Sequence, residues 1–239
     1  MTRTLTAVAL AAMTALSGQA ALAQAADSGK RTQPAGASAP LAPEPGHPLM
    51  VLYDQTDSSP GVGALTMNFL DPGFDIYDTE AADDFTVPPG QVWLVQAVDA
   101  HYKWVAGILP GPLAIDGTMN VTIYRGARPS RLPGIAVARY VDIPVDVNPN
   151  NGYVAIALPA PAWLGEGSYW VSIQLNLTYL DYFGYWTWST RSAQSGSPAA
   201  WRNPGGGWDA NCLRWSPSSG CLYGSGPGDH VFTLRGTAF

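Results

Sequence analysis

Tryptophan is concentrated in one stretch of the chain. Five of the nine tryptophans lie in a region otherwise rich in glycine, serine and asparagine, namely Trp186, Trp188, Trp201, Trp208 and Trp215. A large flat ring in a polar loop either anchors the loop to a core or offers a face on which a ligand stacks. Only the second use is a binding site, so the two interpretations predict different functions.

Three tryptophans are candidates for one stacking surface. Trp186 and Trp188 share a face if their segment is a strand, and Trp170 interrupts the polar face of the strand predicted before it. If the two strands pair as a hairpin, the three rings form a platform of the kind that stacks on sugar C–H groups. The alternative is that the rings fill the core. The candidate ligand-binding set, with polar residues placed to bind hydroxyls, is Trp170, Trp186, Trp188, Trp201, Gln174, Asn176 and Arg191.

Carboxylates are concentrated in a second region. Six of the 18 acidic residues fall in one short run: Asp71, Asp75, Asp78, Glu80, Asp83 and Asp84. Calcium takes about six to eight oxygen ligands, which such a cluster can supply in part. Asp84 opens a predicted early strand and Asp229 the last one. Terminal strands of a jelly roll lie close together, so these two are candidate ligands of a structural Ca²⁺. Consecutive strand residues point to opposite faces, so at most one of Asp83 and Asp84 faces inward. The alternative is a solvated loop with one buried aspartate that binds backbone N–H groups.

Two cysteines, Cys212 and Cys221, are predicted to form a disulfide. The chain has no C-x-x-C motif, and an oxidising compartment favours pairing. Closing so short a loop contributes roughly 2 to 3 kcal/mol on the chain-entropy model. Trp208 and Trp215 flank Cys212, so we expect them to anchor this loop.

Catalytic patterns are weak. The sequence lacks G-x-S-x-G, H-E-x-x-H and a phosphate-binding glycine loop. Its 3 histidines are His47, His101 and His230. A hydrolase that uses aspartates, or a dispersed Ser-His-Asp set built on His101 or His230, stays open. The prediction is a protein that is not an enzyme.

Composition restricts the partners. The formal charge is −6 and only 13% of residues are charged, which argues against nucleic acid because phosphate binding needs clustered Lys and Arg. A surface poor in charge and rich in Trp, Tyr, Asn and Ser suits a neutral polar ligand. The expected partner is a glycan or another component of a cell surface. A structural or adhesive module without a small-molecule site is the first alternative.

The N-terminal region predicts export. Arg3, an apolar run from Leu5 to Leu16 and small residues at Ala21–Ala25 are typical of a secretory signal peptide over 1–25. Residues 26–48 are rich in Pro and Ala and predict a flexible leader. Residues 49–239 are expected to form one domain. The protein is therefore predicted to be secreted or periplasmic, without a membrane span.

The domain shows the period of β-strands. Between Tyr169 and Tyr179 every second residue is apolar, and similar alternation runs over 92–104, 119–123 and 135–145. Pro and Gly turns separate these segments. The sequence predicts an all-β antiparallel sandwich, jelly-roll-like, with about eight or nine strands.

Short motifs along the domain resemble those of a known group of proteins. In order, they are Ala82–Val87, Val121–Tyr124, Pro133–Gly134, Gly167–Ser172 and Asp229–Leu234. Together they resemble the β-sandwich modules of bacterial secreted proteins that are often found beside C-terminal sorting anchors. The resemblance implies a non-catalytic, jelly-roll-like exported domain. This chain departs from many such proteins because it shows no sorting anchor.

Overall fold

A computed structural model describes residues 49–57, 61, 63–106, 115–129, 131–147, 152–179, 184–222, 224 and 228–239. All of them belong to one compact unit, Ala42–Phe239. The predicted signal peptide and the whole of the predicted leader precede residue 49 and lie outside the described residues, as does His47. No helix in the described ranges is long and apolar enough to cross a membrane.

Thirteen strands form the described structure. They are β1 (Met50–Asp54), β2 (Ala64–Leu65), β3 (Met67–Phe69), β4 (Glu80–Val87), β5 (Trp93–Ala106), β6 (Ile115–Gly126), β7 (Pro133–Val147), β8 (Tyr153–Leu164), β9 (Gly167–Leu177), β10 (Gly184–Trp188), β11 (Ala200–Arg202), β12 (Ser216–Pro217) and β13 (Phe232–Ala238). The 3-10 helices in this part are Asp75–Tyr77 and Ser218–Gly220.

The strands form a six-stranded and a seven-stranded sheet packed face to face. The first has the order β1-β13-β5-β10-β2, with β8 also paired to β5, and the second has the order β12-β11-β4-β9-β6-β7, with β3 also paired to β9. Pairing is antiparallel except for β3 with β9. The predicted all-β sandwich is confirmed. The strand number was too low, because β2, β3, β11 and β12 hold only two or three residues each and are too short to show a period.

β9 shows how the sequence pattern divides the two faces of a sheet. Tyr169, Val171 and Ile173 point into the core between the sheets and are buried. Ser172 and Gln174 lie on the opposite, outer face, which also carries Trp170. The outer face is partly covered by the chain around β11 and β12, so polar residues there are buried as well.

β7 departs from the predicted pattern. Regular alternation predicted that Ile135, Val137 and Val141 share a face with Ile143, but these three side chains are exposed while Ile143 is buried. The strand has a bulge where Asp142 adopts φ 53° and the register with β6 shifts. A bulge reverses the order of inward and outward side chains. No regular period in the sequence shows where such a reversal occurs.

Candidate functional site

The predicted tryptophan platform is wrong. Trp170 is 1% exposed, and Trp186, Trp188 and Trp201 are each 0% exposed. Trp186 and Trp188 lie on β10, which pairs with β5 and β2. Trp170 lies on β9, in the other sheet. The three rings therefore share no surface, because β9 and β10 do not form a hairpin.

Core contacts satisfy most of these rings. Trp188 stacks on His230 with ring centroids 4.5 Å apart and donates its indole N–H to the Val231 carbonyl at 3.0 Å. The indole N–H of Trp201 reaches the Leu65 carbonyl at 2.7 Å. Trp186 packs against Tyr102, centroid to centroid 5.6 Å. These tryptophans stabilise the sandwich and are not available to a ligand.

The polar members of the predicted set are also engaged inside the protein. Gln174 donates to the Thr79 carbonyl at 2.8 Å. The Asn176 side chain is 3% exposed and exchanges hydrogen bonds with Asn120 at 2.8 and 3.1 Å. Arg191 is buried and its guanidinium contacts the Asp57 carboxylate at 2.8 Å. Their predicted role in binding hydroxyls is not supported, because each of these side chains is engaged in a contact inside the protein.

The loop around the cysteines matches the prediction. Cys212 and Cys221 form a disulfide with their Cα atoms 6.0 Å apart. Trp208 donates its indole N–H to the Tyr77 carbonyl at 2.9 Å. Trp215 packs edge-on against Tyr124, with centroids 5.6 Å apart. Trp208 anchors the segment to the 3-10 helix Asp75–Tyr77 and Trp215 anchors it to β6, so both rings act as loop anchors, as expected.

A cleft of about 630 Å³ lies on the outer face of the seven-stranded sheet. Its floor spans three adjacent strands. Asp84 of β4 is the register partner of Trp170 of β9, and Thr86 is the partner of Ser168. Gly126 of β6 completes the floor. An added Cβ there would lie 3.7 Å from Trp170 Nε1, so the missing side chain leaves the indole edge beside the cleft.

Two connections form the walls of the cleft. One is the turn between β6 and β7, which contributes Ala127, Arg128, Pro129 and Arg131. The other is the crossover segment (189–199), which connects β10 of the six-stranded sheet to β11 of the seven-stranded sheet and contributes Gly196 and Ser197. The cleft therefore lies where one rigid sheet meets two loops, an arrangement common to ligand sites.

Asp84 is the acidic group of the cleft. Its carboxylate is half-buried and accepts the backbone N–H of Ser197 on both oxygens, at 3.1 and 3.0 Å. Burial raises the pKa of Asp84, while this backbone hydrogen bond and the charge of Arg131 oppose the rise. A partly desolvated carboxylate with a perturbed pKa inside a cleft is a candidate for ligand contact.

A second pair of carboxylates lies behind the cleft. Asp83 faces the core and is fully buried, and it accepts hydrogen bonds from the Gln55 amide at 2.7 Å and from the His230 backbone. Asp229 accepts the backbone N–H of Ser195, while its Oδ1 is buried without a hydrogen bond among the described residues. Burial raises the pKa of Asp229 to about 6. Burial, followed by the charge of Asp229, raises the pKa of Asp83 well above its ordinary value.

Groups of the protein itself already contact Asp83, Asp84 and Asp229. Asp84 lies on the outer face and Asp83 on the inner one, and backbone N–H groups bind to Asp84, Asp83 and Asp229. The charge of Arg191 acts on Asp229. In the part of the chain described, the one group of three metal-capable residues with converging ligand atoms is Asp209, Cys212 and Cys221, whose sulfurs are joined in the disulfide. Calcium binding by Asp84 and Asp229 stays a prediction from the sequence.

The histidines do not assemble the dispersed catalytic set. His230 is fully buried, and neither ring nitrogen has a hydrogen-bond partner among the described residues. His101 lies edge-on against the Tyr153 ring, with centroids 5.5 Å apart. Neither ring is hydrogen-bonded to a serine and an aspartate within the described ranges. A Ser-His-Asp mechanism therefore has no structural support here.

Sequence reasoning missed the residues that line the cleft. It selected Asp84 as a metal ligand and Trp170 as a stacking ring, and the structure places these two side by side. Nothing in the sequence brings Arg128, Arg131 and Ser197 to the same place, since they lie in loops whose paths depend on the whole fold. Sequence reasoning also missed Trp163, which is 64% exposed and stacks on Phe239.

Comparison of the chain with models of protein families, with curated proteins and with solved structures gave no match in any of the three. The resemblance to exported modules therefore stays a prediction. Any assignment of function has to come from the residues of the cleft.

Proposed function

We propose that the protein is an exported binding module that holds a glycan segment in the cleft over β4, β9 and β6. The observation that carries this proposal is the meeting of Asp84, Trp170 and two arginines in one cleft of about 630 Å³. This volume falls in the range of about 300 to 1,000 Å³ that is typical of small-molecule sites. No catalytic step is part of the proposal.

The chemistry of the cleft suits a polyhydroxylated ligand. A carboxylate oxygen accepts more than one hydrogen bond, so Asp84 can accept from a ligand hydroxyl in addition to the Ser197 N–H. The hydroxyls of Thr86 and Ser168 both donate and accept, and a guanidinium donates. Pro129 adds apolar surface for sugar C–H groups. A polar, half-open site of this kind requires none of the four buried tryptophans.

Export is part of the same proposal. The predicted signal peptide and the disulfide between Cys212 and Cys221 both fit an oxidising compartment. A structural or adhesive module is the alternative function. In that case the cleft binds nothing, and changes to its lining alter neither binding nor attachment to cells.

A glycan array probed with the mature protein tests the proposal. Asp84→Asn keeps the shape of the side chain and removes its charge, and we expect it to weaken binding to the glycans recognised by the wild type at least tenfold. Thr86→Tyr fills the cleft from an exposed position on β4 and should abolish binding. Both variants should remain folded, because neither creates a cavity in the core.

Two exposed positions outside the cleft supply matched controls. Asp146→Asn removes a carboxylate from β7, and Trp163→Ala removes the exposed ring on β8. Both should bind as the wild type does. Loss of binding in Trp163→Ala with full binding in Asp84→Asn would move the site to the other sheet and refute the proposal.

A further inference from the structure

We infer that the cleft selects acidic glycans, with Arg128 and Arg131 binding the carboxylate of a uronic-acid type sugar while Asp84 binds hydroxyls. This inference rests on the proposed function and narrows the class of ligand. Because the inference concerns ligand specificity, comparing the affinities for charged and neutral forms of one glycan tests it.

The two arginines at the cleft wall form no ion pair with another described residue. The ion pairs among the described residues use Arg191, Arg202 and Arg235. Arg128 and Arg131 are both exposed and line the cleft. The protein has a net charge of −6, so two neighbouring arginines at the cleft form a local positive region on an acidic protein.

Backbone hydrogen bonds and the backbone conformation set the position of Arg131 in the turn between β6 and β7. Arg131 donates its backbone N–H to the Ala127 carbonyl at 2.9 Å, and Ala127 donates to the Leu132 carbonyl at 2.8 Å. Arg131 adopts φ 53°, in the left-handed region that favours glycine. Because residues other than glycine rarely occupy this region, the conformation is maintained by its surroundings. The turn thus presents Arg131 from a defined backbone position.

Guanidinium geometry favours a carboxylate. The five N–H donors of arginine form a planar fork that matches the two oxygens of a carboxylate, and such pairs are roughly twice as strong as neutral hydrogen bonds. Asp84 repels the same group, and its charge interacts with Arg131. A ligand carboxylate is therefore directed to the β6–β7 side of the cleft, and the hydroxyls to the Asp84 side. This polarity orients the sugar.

The experiment compares an oligogalacturonide with its fully methyl-esterified form, by isothermal titration calorimetry at low salt. The two ligands share a sugar backbone, and the methyl ester removes the charge of each carboxylate. We expect the free acid to bind at least tenfold more tightly, with an affinity that falls as salt increases. In the double variant Arg128→Gln, Arg131→Gln, the acid and the ester should bind equally. Arg139→Gln, an exposed change on β7 outside the cleft, should keep the wild-type ratio.

Three outcomes would overturn the inference: equal binding of acid and ester, a preference for the acid that persists in the double arginine variant, and no binding of the acid. Dextran sulfate bound as tightly as the acid would also refute it, because the inference specifies a planar carboxylate. The proposed function can hold when this inference fails. If array glycans without acidic groups bind to the wild type and not to Asp84→Asn, the cleft binds glycans while the arginine selectivity is wrong.

Discussion

The backbone N–H of Ser197 donates to both carboxylate oxygens of Asp84, at 3.1 and 3.0 Å. This contact ties the crossover segment to β4 and forms one corner of the cleft. Two residues earlier, Ser195 donates its N–H to Asp229, which precedes β13 of the other sheet. The crossover segment is thus held by one carboxylate from each side of the sandwich. Its position, and with it the shape of the cleft, depends on both.

Gly196 lies between these two contacts, and we predict that Gly196→Ala destabilises the domain. Its φ is +75°, and an added Cβ would lie 2.5 Å from Asp84 Oδ1. The left-handed conformation alone costs about 1 to 2 kcal/mol for a residue with a side chain. Urea unfolding measures the loss. Gly73→Ala is the matched control, because Gly73 has φ +84° and open space around its Cβ position. Equal losses in the two variants would contradict the close contact with Asp84.

Replacing tryptophan by alanine should strongly destabilise the domain at Trp188 and have little effect at Trp163. Trp188 is 0% exposed and Trp163 is 64% exposed. Replacing a buried tryptophan by alanine costs about 3 to 5 kcal/mol, because packing is lost and a cavity is left. We expect this loss of unfolding free energy for Trp188→Ala and a change within about 0.5 kcal/mol for Trp163→Ala. Chemical denaturation followed by circular dichroism distinguishes them. Similar losses in both variants would refute this assignment of core and surface.

The raised pKa of Asp229 should make the stability of the domain depend on pH. Burial raises its pKa from 3.8 to about 6 in the folded state, against the effects of Ser195 and Arg191. Between these two values the folded state holds more protons than the unfolded state, so this group's contribution to stability falls as pH rises through the window. Asp229→Asn does not titrate. On going from pH 4.5 to pH 7, the variant should therefore lose less unfolding free energy than the wild type.

The same urea titrations contain the control for Asp229. Asp146→Asn removes an exposed carboxylate and should follow the wild-type pH dependence. If Asp229→Asn and wild type lose the same unfolding free energy between the two pH values, the raised pKa of Asp229 is wrong.

The lowered pKa of His230 makes the stability of the domain change with pH in the opposite direction. Burial lowers its pKa from 6.5 to about 3, although the carbonyls of Ser189 and Trp188 favour the charged form. The unfolded state gains a proton below about pH 6.5 that the folded state does not hold, so this contribution to stability is lost as pH falls. His230→Phe removes the titration and two buried nitrogens that make no hydrogen bond of normal geometry among the described residues. We expect it to be within about 1 kcal/mol of wild type at pH 8 and to gain on wild type at pH 5. A loss of several kcal/mol at pH 8 would show that the ring nitrogens make hydrogen bonds.

The fold class was predictable because strands leave a period of two in the sequence. Val171, Ile173 and Leu175 alternate with polar residues and face the core as expected. The period does not identify which face of a strand is covered by other parts of the chain. Trp170 lies on the outer face and is buried by other parts of the chain, which the period does not show. Val141 is exposed because the bulge at Asp142 reverses the pattern, and further register shifts between β6 and β7 interrupt the alternation near Ile135 and Val137.

The candidate site was only partly predictable, because it depends on contacts between distant segments. Alternation correctly placed at most one of Asp83 and Asp84 inward, but the sequence does not show which one. The structure turns Asp83 to the core and Asp84 to the cleft. Arg131 and Ser197 are 66 positions apart in the numbering of the chain and meet only in the folded domain. No local pattern indicates such a meeting.

A two-dimensional NMR titration of the mature protein with the oligogalacturonide and with its methyl ester tests the central claim most directly. If the cleft is the binding site, the amide signals of Gly126, Gly196 and Ser197 and the indole signal of Trp170 shift on binding of the tighter ligand. The indole signal of Trp163 stays in place. Shifts confined to Trp163 and its neighbours on β8, or no shifts with either ligand, would contradict the claim.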